Sequence, residues 1–233
     1  MSRNIKGMAA IMFLLCLPLL ATAESPQTEK NEAGVISFKE TDFSSLLGME
    51  GFSDVMLMDH FKLYGGYVKN SNKLLVRLSE LLGEGTTNTP EYAELKRRLG
   101  WEINGMRLHE YYFENLGGDG IINAEGALYK KISEDFGSFE KWKEDFIATG
   151  AMRGIGWVIL YVDTRTGKLV NAWIEEHNTG NFSGWMPILV MDVFEHAYMT
   201  DYRLERAGYI KAFFENIDWS RVEERARLLK NQS

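Results

Sequence analysis

No disulfide can form within this chain, because Cys16 is its one cysteine. The fold must therefore rest on a packed core, which a chain of this length can build. Cationic surface is also in short supply: 26 Lys and Arg stand against 33 Asp and Glu, a net charge of −7, and no basic stripe gathers anywhere. That balance excludes nucleic acid as the expected partner. Internal repeats and low-complexity tracts are absent. So are long apolar runs, except for Met8 to Leu20. This run is shorter than the ~20 residues a membrane-spanning helix needs. Arg3 and Lys6 precede it and Ala21-Thr22-Ala23 follows it. These features predict a signal peptide over residues 1–23, cleaved before Glu24, with no membrane attachment afterwards. Cleavage would remove Cys16 and leave 24 basic against 33 acidic residues, a net charge of −9.

The rest of the chain reads as α+β. Residues 24–50 form an N-terminal extension, with a polar opening and a Val35-Ile36-Ser37-Phe38 patch that packs loosely. Residues 51–118 predict an antiparallel helical hairpin. Its first helix runs from a Ser53 cap to Leu82, and its second opens at Pro90 and ends near Asn115. Gly65 and Gly66 interrupt the first helix, which implies either a break or a close backbone approach. Residues 119–233 predict an α+β domain with a small antiparallel sheet. Helices are expected over 124–135 and 138–148, and β-rich runs over 156–162, 168–174 and 186–191, the first two joined by a turn at 163–167. Further helices are expected from Glu195 to about Arg206, from Tyr209 to Asn216 and from Trp219 to Leu229.

Histidine is scarce too, with four in all: His60, His109, His177 and His196. Asp192 and His196 lie four residues apart and can face one point if the chain there is helical or tightly turned. An oxygen and a nitrogen donor so placed suit a hard-to-borderline metal. Any one of these histidines alone would be read as a structural residue, and spacing goes no further than that.

Asp192-Val-Phe-Glu-His196-Ala-Tyr198, followed by Asp201-Tyr202, Arg206, Tyr209 and Asn216-Ile-Asp-Trp219, resembles the C-terminal signature of the iron/manganese superoxide dismutases. Phe136-Gly-Ser-Phe139, Gly154-Ile-Gly-Trp157 and Leu108-His109-Glu-Tyr-Tyr-Phe-Glu-Asn-Leu116 are similar to other motifs of that family. The resemblance implies that His109, Asp192 and His196, with His60, hold one iron or manganese ion. Tyr67 would stand at the mouth of the substrate channel. His177 would hydrogen-bond the metal's solvent ligand; a histidine there leans slightly to iron or to a metal-tolerant enzyme. Glu195 would reach the partner's ligand histidine across a homodimer interface. The implied substrate is superoxide, converted to dioxygen and hydrogen peroxide by redox cycling of the metal, in a bacterial periplasm. A metal-binding protein on the same fold with little or no dismutase activity is the alternative.

Departures gather in the first helix. The family's spacing from ligand histidine to channel tyrosine is eight residues, whereas His60 to Tyr67 is seven. An ungapped match would put Asp59 in the ligand place; His60 is preferred, because one residue of helical slack or a local bulge can restore its direction. A further family histidine, one turn on, is replaced by Leu63 and Tyr64, and its tyrosine partner by Met199. Phe194 and Phe214 stand where the family has tryptophans. An acidic chain also needs a local cation to admit an anionic substrate, and Lys62, Lys69 and Arg206 are the candidates.

Overall fold

The computed structural model describes residues 28–30 and 34–230, with side chains to 227. The expected signal peptide lies outside these residues. Two short strands, β1 (Thr28–Lys30) and β2 (Ile36–Phe38), form an antiparallel ribbon. The long helices α1 (Asp54–Gly83) and α2 (Pro90–Glu114) pack side by side as a hairpin. Each begins where its sequence supplies a cap: Ser53 Oγ accepts the Met56 N–H and Thr89 Oγ1 the Tyr92 N–H, with Pro90 at the first helical position. Then follow α3 (Ala127–Phe136) and α4 (Phe139–Gly150), the strands β3 (Trp157–Asp163), β4 (Leu169–Ile174) and β5 (Trp185–Asp192), and the helices α5 (Met199–Tyr202), α6 (Arg206–Glu215) and α7 (Trp219–Lys230). No described helix is long and apolar enough to cross a membrane.

The three later strands make one antiparallel sheet in the order β4-β3-β5. Trp157 to Leu160 of the central strand are all buried, so both faces of the sheet are covered. Pro187 sits on edge strand β5, at the point where the β3–β5 register slips between Leu160 and Tyr161. An edge strand with a bulge is where a residue lacking an N–H does least harm. Asn115, fully buried at the end of α2, binds Val190 of β5 through both ends of its amide, donating to the carbonyl at 2.9 Å and accepting the N–H at 3.3 Å. This clamp fixes α2, and with it His109, against the strand that carries Asp192.

Two expectations are corrected, and the choice left open at Gly65 and Gly66 is decided. Residues 34–52 do not pack loosely: Asn72 holds both backbone groups of Phe38 at 2.8 Å, Thr41 N–H donates to the Tyr64 hydroxyl, and Phe43, Leu46 and Phe52 are buried. The glycine pair does not break α1. Gly65 is a close approach instead, since a Cβ there would lie 2.8 Å from the Glu40 carboxylate. The helix expected over 195–206 is a 3-10 turn (Glu195–Ala197) followed by the four-residue α5. It stops because Arg203 adopts φ +50°, outside helical space, and α6 starts anew at Arg206.

Candidate metal centre

His60 projects from α1 and His109 from α2, Asp192 ends β5, and His196 lies in the 3-10 turn beyond it. The sharp turn has a local cause. Asp192 Oδ1 accepts the Phe194 N–H at 2.8 Å, an Asx turn that folds the chain back and sets His196 Nε2 3.1 Å from Asp192 Oδ2. His60 Nε2 reaches the same oxygen at 3.2 Å and His109 Nε2 comes to 3.7 Å. One donor atom from each of the four residues lies within 4.8 Å of the other three. His60, His109 and Asp192 are buried, while the His196 side chain is 31% exposed.

Proton bookkeeping shows what this arrangement is for. The Gly105 carbonyl accepts the His109 Nδ1–H at 2.5 Å, which leaves Nε2 with a lone pair. That Nε2 is buried and has no hydrogen-bond partner among the described residues. A buried acceptor without a partner costs about 1–3 kcal/mol unless something else fills it. Burial is also the main force that lowers the basicity of His60 and His109, so both are neutral and need lose no proton to bind a cation. At Asp192 burial acts to raise the pKa, but His196 and His60 outweigh it and hold the carboxyl well below the ordinary carboxylate range. Three imidazoles and one carboxylate around a common point, one nitrogen otherwise orphaned, fit a single iron or manganese ion.

Beside this set lies a second pair. Tyr67 Oη and His177 Nε2 are 2.6 Å apart, and Trp157 Nε1–H donates to His177 Nδ1 at 3.1 Å. Since indole only donates, Nδ1 must be the acceptor and the neutral ring carries its proton on Nε2. Burial, opposed by Asp192, brings His177 down to about 4, so neutral is its state near pH 7. His177 therefore gives its N–H to Tyr67, and the Tyr67 O–H is left to donate elsewhere. Both ring nitrogens of His177 are thus engaged, one by Trp157 and the other by Tyr67.

The family described as iron/manganese superoxide dismutases, C-terminal domain, matches residues 124–225. An iron superoxide dismutase of Cupriavidus metallidurans is 38% identical over 180 residues, covering 76% of this chain and 89% of the relative. The chain belongs to the iron/manganese superoxide dismutase family. An iron superoxide dismutase of Aquifex pyrophilus is 36% identical over 197 residues, 82% of this chain and 92% of that one. A manganese superoxide dismutase of Haloferax volcanii is 35% identical over 165 residues, 71% and 81% of the two chains. Relatives named for either metal thus align over most of their length.

Within the dismutase fold, the irregular spacing in α1 has a simple resolution. Seven residues fall only about 20° short of two full helical turns, so His60 and Tyr67 share a face. The helix is α-helical throughout, so helical slack rather than a bulge brings His60 into place. Asp59 is exposed on another face, while His60 is buried in the donor set. Tyr64, in the place of the missing histidine, turns inward and donates to Glu110 at 3.0 Å, and Met199 is 39% exposed. Phe194 replaces a tryptophan yet still lines the site, its ring 4.9 Å from that of His177 and 5.2 Å from that of His196.

The three expected channel cations are otherwise disposed. The Arg206 guanidinium is consumed by the Tyr198 hydroxyl and by the carbonyls of Met152 and Gly154. Lys62 and Lys69 are exposed, each about 200° around α1 from the site residue two positions before it.

Four residues that the sequence reading left without a role support the site. Trp157 orients His177. Gly105 has no side chain because the Tyr67 ring occupies its place, 2.6 Å from where a Cβ would be. Tyr209 donates to the Asp192 carbonyl at 2.6 Å. Asn181 ties the His177 carbonyl to the Tyr161 hydroxyl, holding a loop in which Glu176 takes φ +56°. A glycine inside a helix, which costs about 1 kcal/mol against alanine, was the one available signal for Gly105.

Proposed function

We propose that this chain is an exported superoxide dismutase that holds one iron or manganese ion on His60, His109, Asp192 and His196 and works as a homodimer. The observation that carries the reading is the buried, unpartnered Nε2 of His109 facing Asp192 Oδ2 and two further imidazoles. Bound there, iron or manganese would supply the one-electron couple by which one superoxide is oxidised and the next reduced. The residues contribute charge, order and protons. Asp192 offsets the cation's charge, and neutral His60 and His109 present lone pairs. Tyr67, fixed by the N–H of His177, keeps its own O–H available as a proton donor beside the centre. Trp157, Phe194 and Trp101 enclose His177 and limit water there. Of the two metals, the resemblance at His177 slightly favours iron. Chelation is expected to abolish dismutation and added iron or manganese to restore it. Activity indifferent to chelation, with the metal shown to be gone, would refute the reading.

His177→Gln is expected to keep the metal content, because glutamine can still accept from Trp157 and donate to Tyr67. The rate, its pH profile or the preferred metal should change through Tyr67. If all three stay as they were, the role given to His177 is wrong.

The dimer reading is supported by exposed Glu195, by half-covered His196, and by the apolar side chains of Val55, Met58 and Met199, which are 58%, 51% and 39% exposed on the packed elements α1 and α5. A second copy would cover them and bring its own Glu195 toward His196. Export to a bacterial periplasm rests on the basic start, apolar run and Ala21-Thr22-Ala23. An intact mass beginning at Glu24 and a sedimentation mass of two chains are expected. A retained N-terminus or a monomer would remove the corresponding part.

A further inference from the structure

We propose that Arg98 is the cation that draws the anionic substrate to the Tyr67/His177 mouth of an otherwise acidic protein. Arg98 lies on α2, three turns before His109, and its guanidinium stacks over Trp101, 5.2 Å from the ring centroid. Trp101 in turn meets the His177 ring edge to face at 4.6 Å. Among the described residues only Nε of the guanidinium is committed, donating to Glu102 Oε1 at 2.7 Å. Its Nη groups make no hydrogen bond among the described residues, and the side chain is 51% exposed. Glu102 is 3% exposed and also accepts from Asn70 at 3.4 Å. The pair is therefore polarised, with its negative end inside the protein and its positive end in solvent beside the site. Arg98 is also the one basic side chain whose charge is felt at both Tyr67 and His177. Asp192, Glu102 and Glu176 act on Tyr67 with the opposite sign. Among the described residues, a small anion approaching Tyr67 thus meets several negative groups and Arg98 as the cation acting there. The Arg206 guanidinium is engaged by carbonyls and the Tyr198 hydroxyl, and Lys62 and Lys69 lie about 200° around α1 from His60 and Tyr67 respectively.

The inference rests on the dismutase reading, and its test separates the two. Metal-loaded wild type, Arg98→Gln, Arg98→Lys and, as a control for net charge, Arg97→Gln are compared. Arg97 is 72% side-chain exposed and pairs with Glu94. The readouts are kcat and kcat/KM for superoxide against ionic strength, and the affinity for azide from the metal's absorption spectrum. Arg98→Gln is expected to lower kcat/KM and azide affinity at least about threefold at low salt, to flatten the salt dependence, and to leave kcat within a factor of two. Arg98→Lys should keep most of both, and Arg97→Gln should match wild type. Should Arg98→Gln fail to fold because Glu102 is left unpaired, the Arg98→Gln/Glu102→Gln double variant serves, with the same direction expected. Wild-type kcat/KM, salt slope and azide affinity in the variant would overturn the inference. So would a loss in kcat alone, which marks a merely structural role. Metal-loaded wild type that binds azide without dismuting superoxide would sink the dismutase reading, while the azide comparison still decides on Arg98.

Discussion

Replacing His109 by alanine is expected to leave the folded chain without its metal and without dismutation. His109 is the donor with nothing else to do: its Nδ1–H is fixed on the Gly105 carbonyl and its Nε2 has no partner among the described residues. Losing a group that merely supports a metal ligand costs about 10–100-fold in affinity. Losing a ligand itself should exceed that, so metal content in the purified variant should fall to below about a tenth of wild type. The three remaining donors stay in place, because α2 is clamped to β5 by Asn115 rather than by His109. The metal-free variant should accordingly unfold at the same denaturant concentration as metal-free wild type, or a slightly higher one, since a buried unsatisfied nitrogen is gone. Elemental analysis and urea unfolding on the same preparation check both halves. A variant that retains a full complement of iron or manganese would show that the ion sits elsewhere.

Gly156→Ala should be the most damaging single methyl in the molecule. Gly156 has φ +138° and a Cβ there would lie 2.0 Å from the Ile174 carbonyl oxygen, which is backbone and cannot swing aside. The same residue's carbonyl accepts the Val193 N–H at 2.9 Å. Next to it, Trp157 is paired across the sheet with Ile174 on one side and Asp192 on the other. A side chain at 156 must therefore push β4 from β3 where His177 and Asp192 are positioned. The expected loss is about 3 kcal/mol or more, or roughly 6–12 °C in the thermal midpoint of the metal-free protein. Gly66→Ala is the matched control. It lies inside α1 with nothing within 4 Å of its would-be Cβ, so it should be neutral or stabilise by up to about 1 kcal/mol. Equal midpoints for the two variants would mean that the close approach at Gly156 is not the constraint described.

The hairpin and the sheet were legible because their signals are local. Ser53, Thr89-Pro90 and Ser138 mark helix starts, and β-rich runs flank the turn at 163–167, where Gly167 takes φ +68°. Asp192 and His196 were legible as a pair because four residues suffice to bring them together. The stretch from Glu195 to Arg206 was not, because its composition suits a helix and only the backbone at Arg203 ends it. Seven against eight residues in α1 looked like a defect on paper, yet helical geometry makes seven the better-aligned spacing. What stayed hidden was contact across the chain. Nothing near Arg98 in sequence announces His177, and nothing near Gly105 announces Tyr67; those pairings exist only once α1, α2 and the 175–184 loop are packed.

Metal content and superoxide dismutation measured on one sample of the mature chain test the central claim most directly. The account predicts about one iron or manganese per chain, with activity that disappears with the metal and returns with it. Metal held at that ratio without dismutation would leave a binding protein on a dismutase fold. No iron or manganese even after reconstitution would contradict the assignment of the four-residue centre itself.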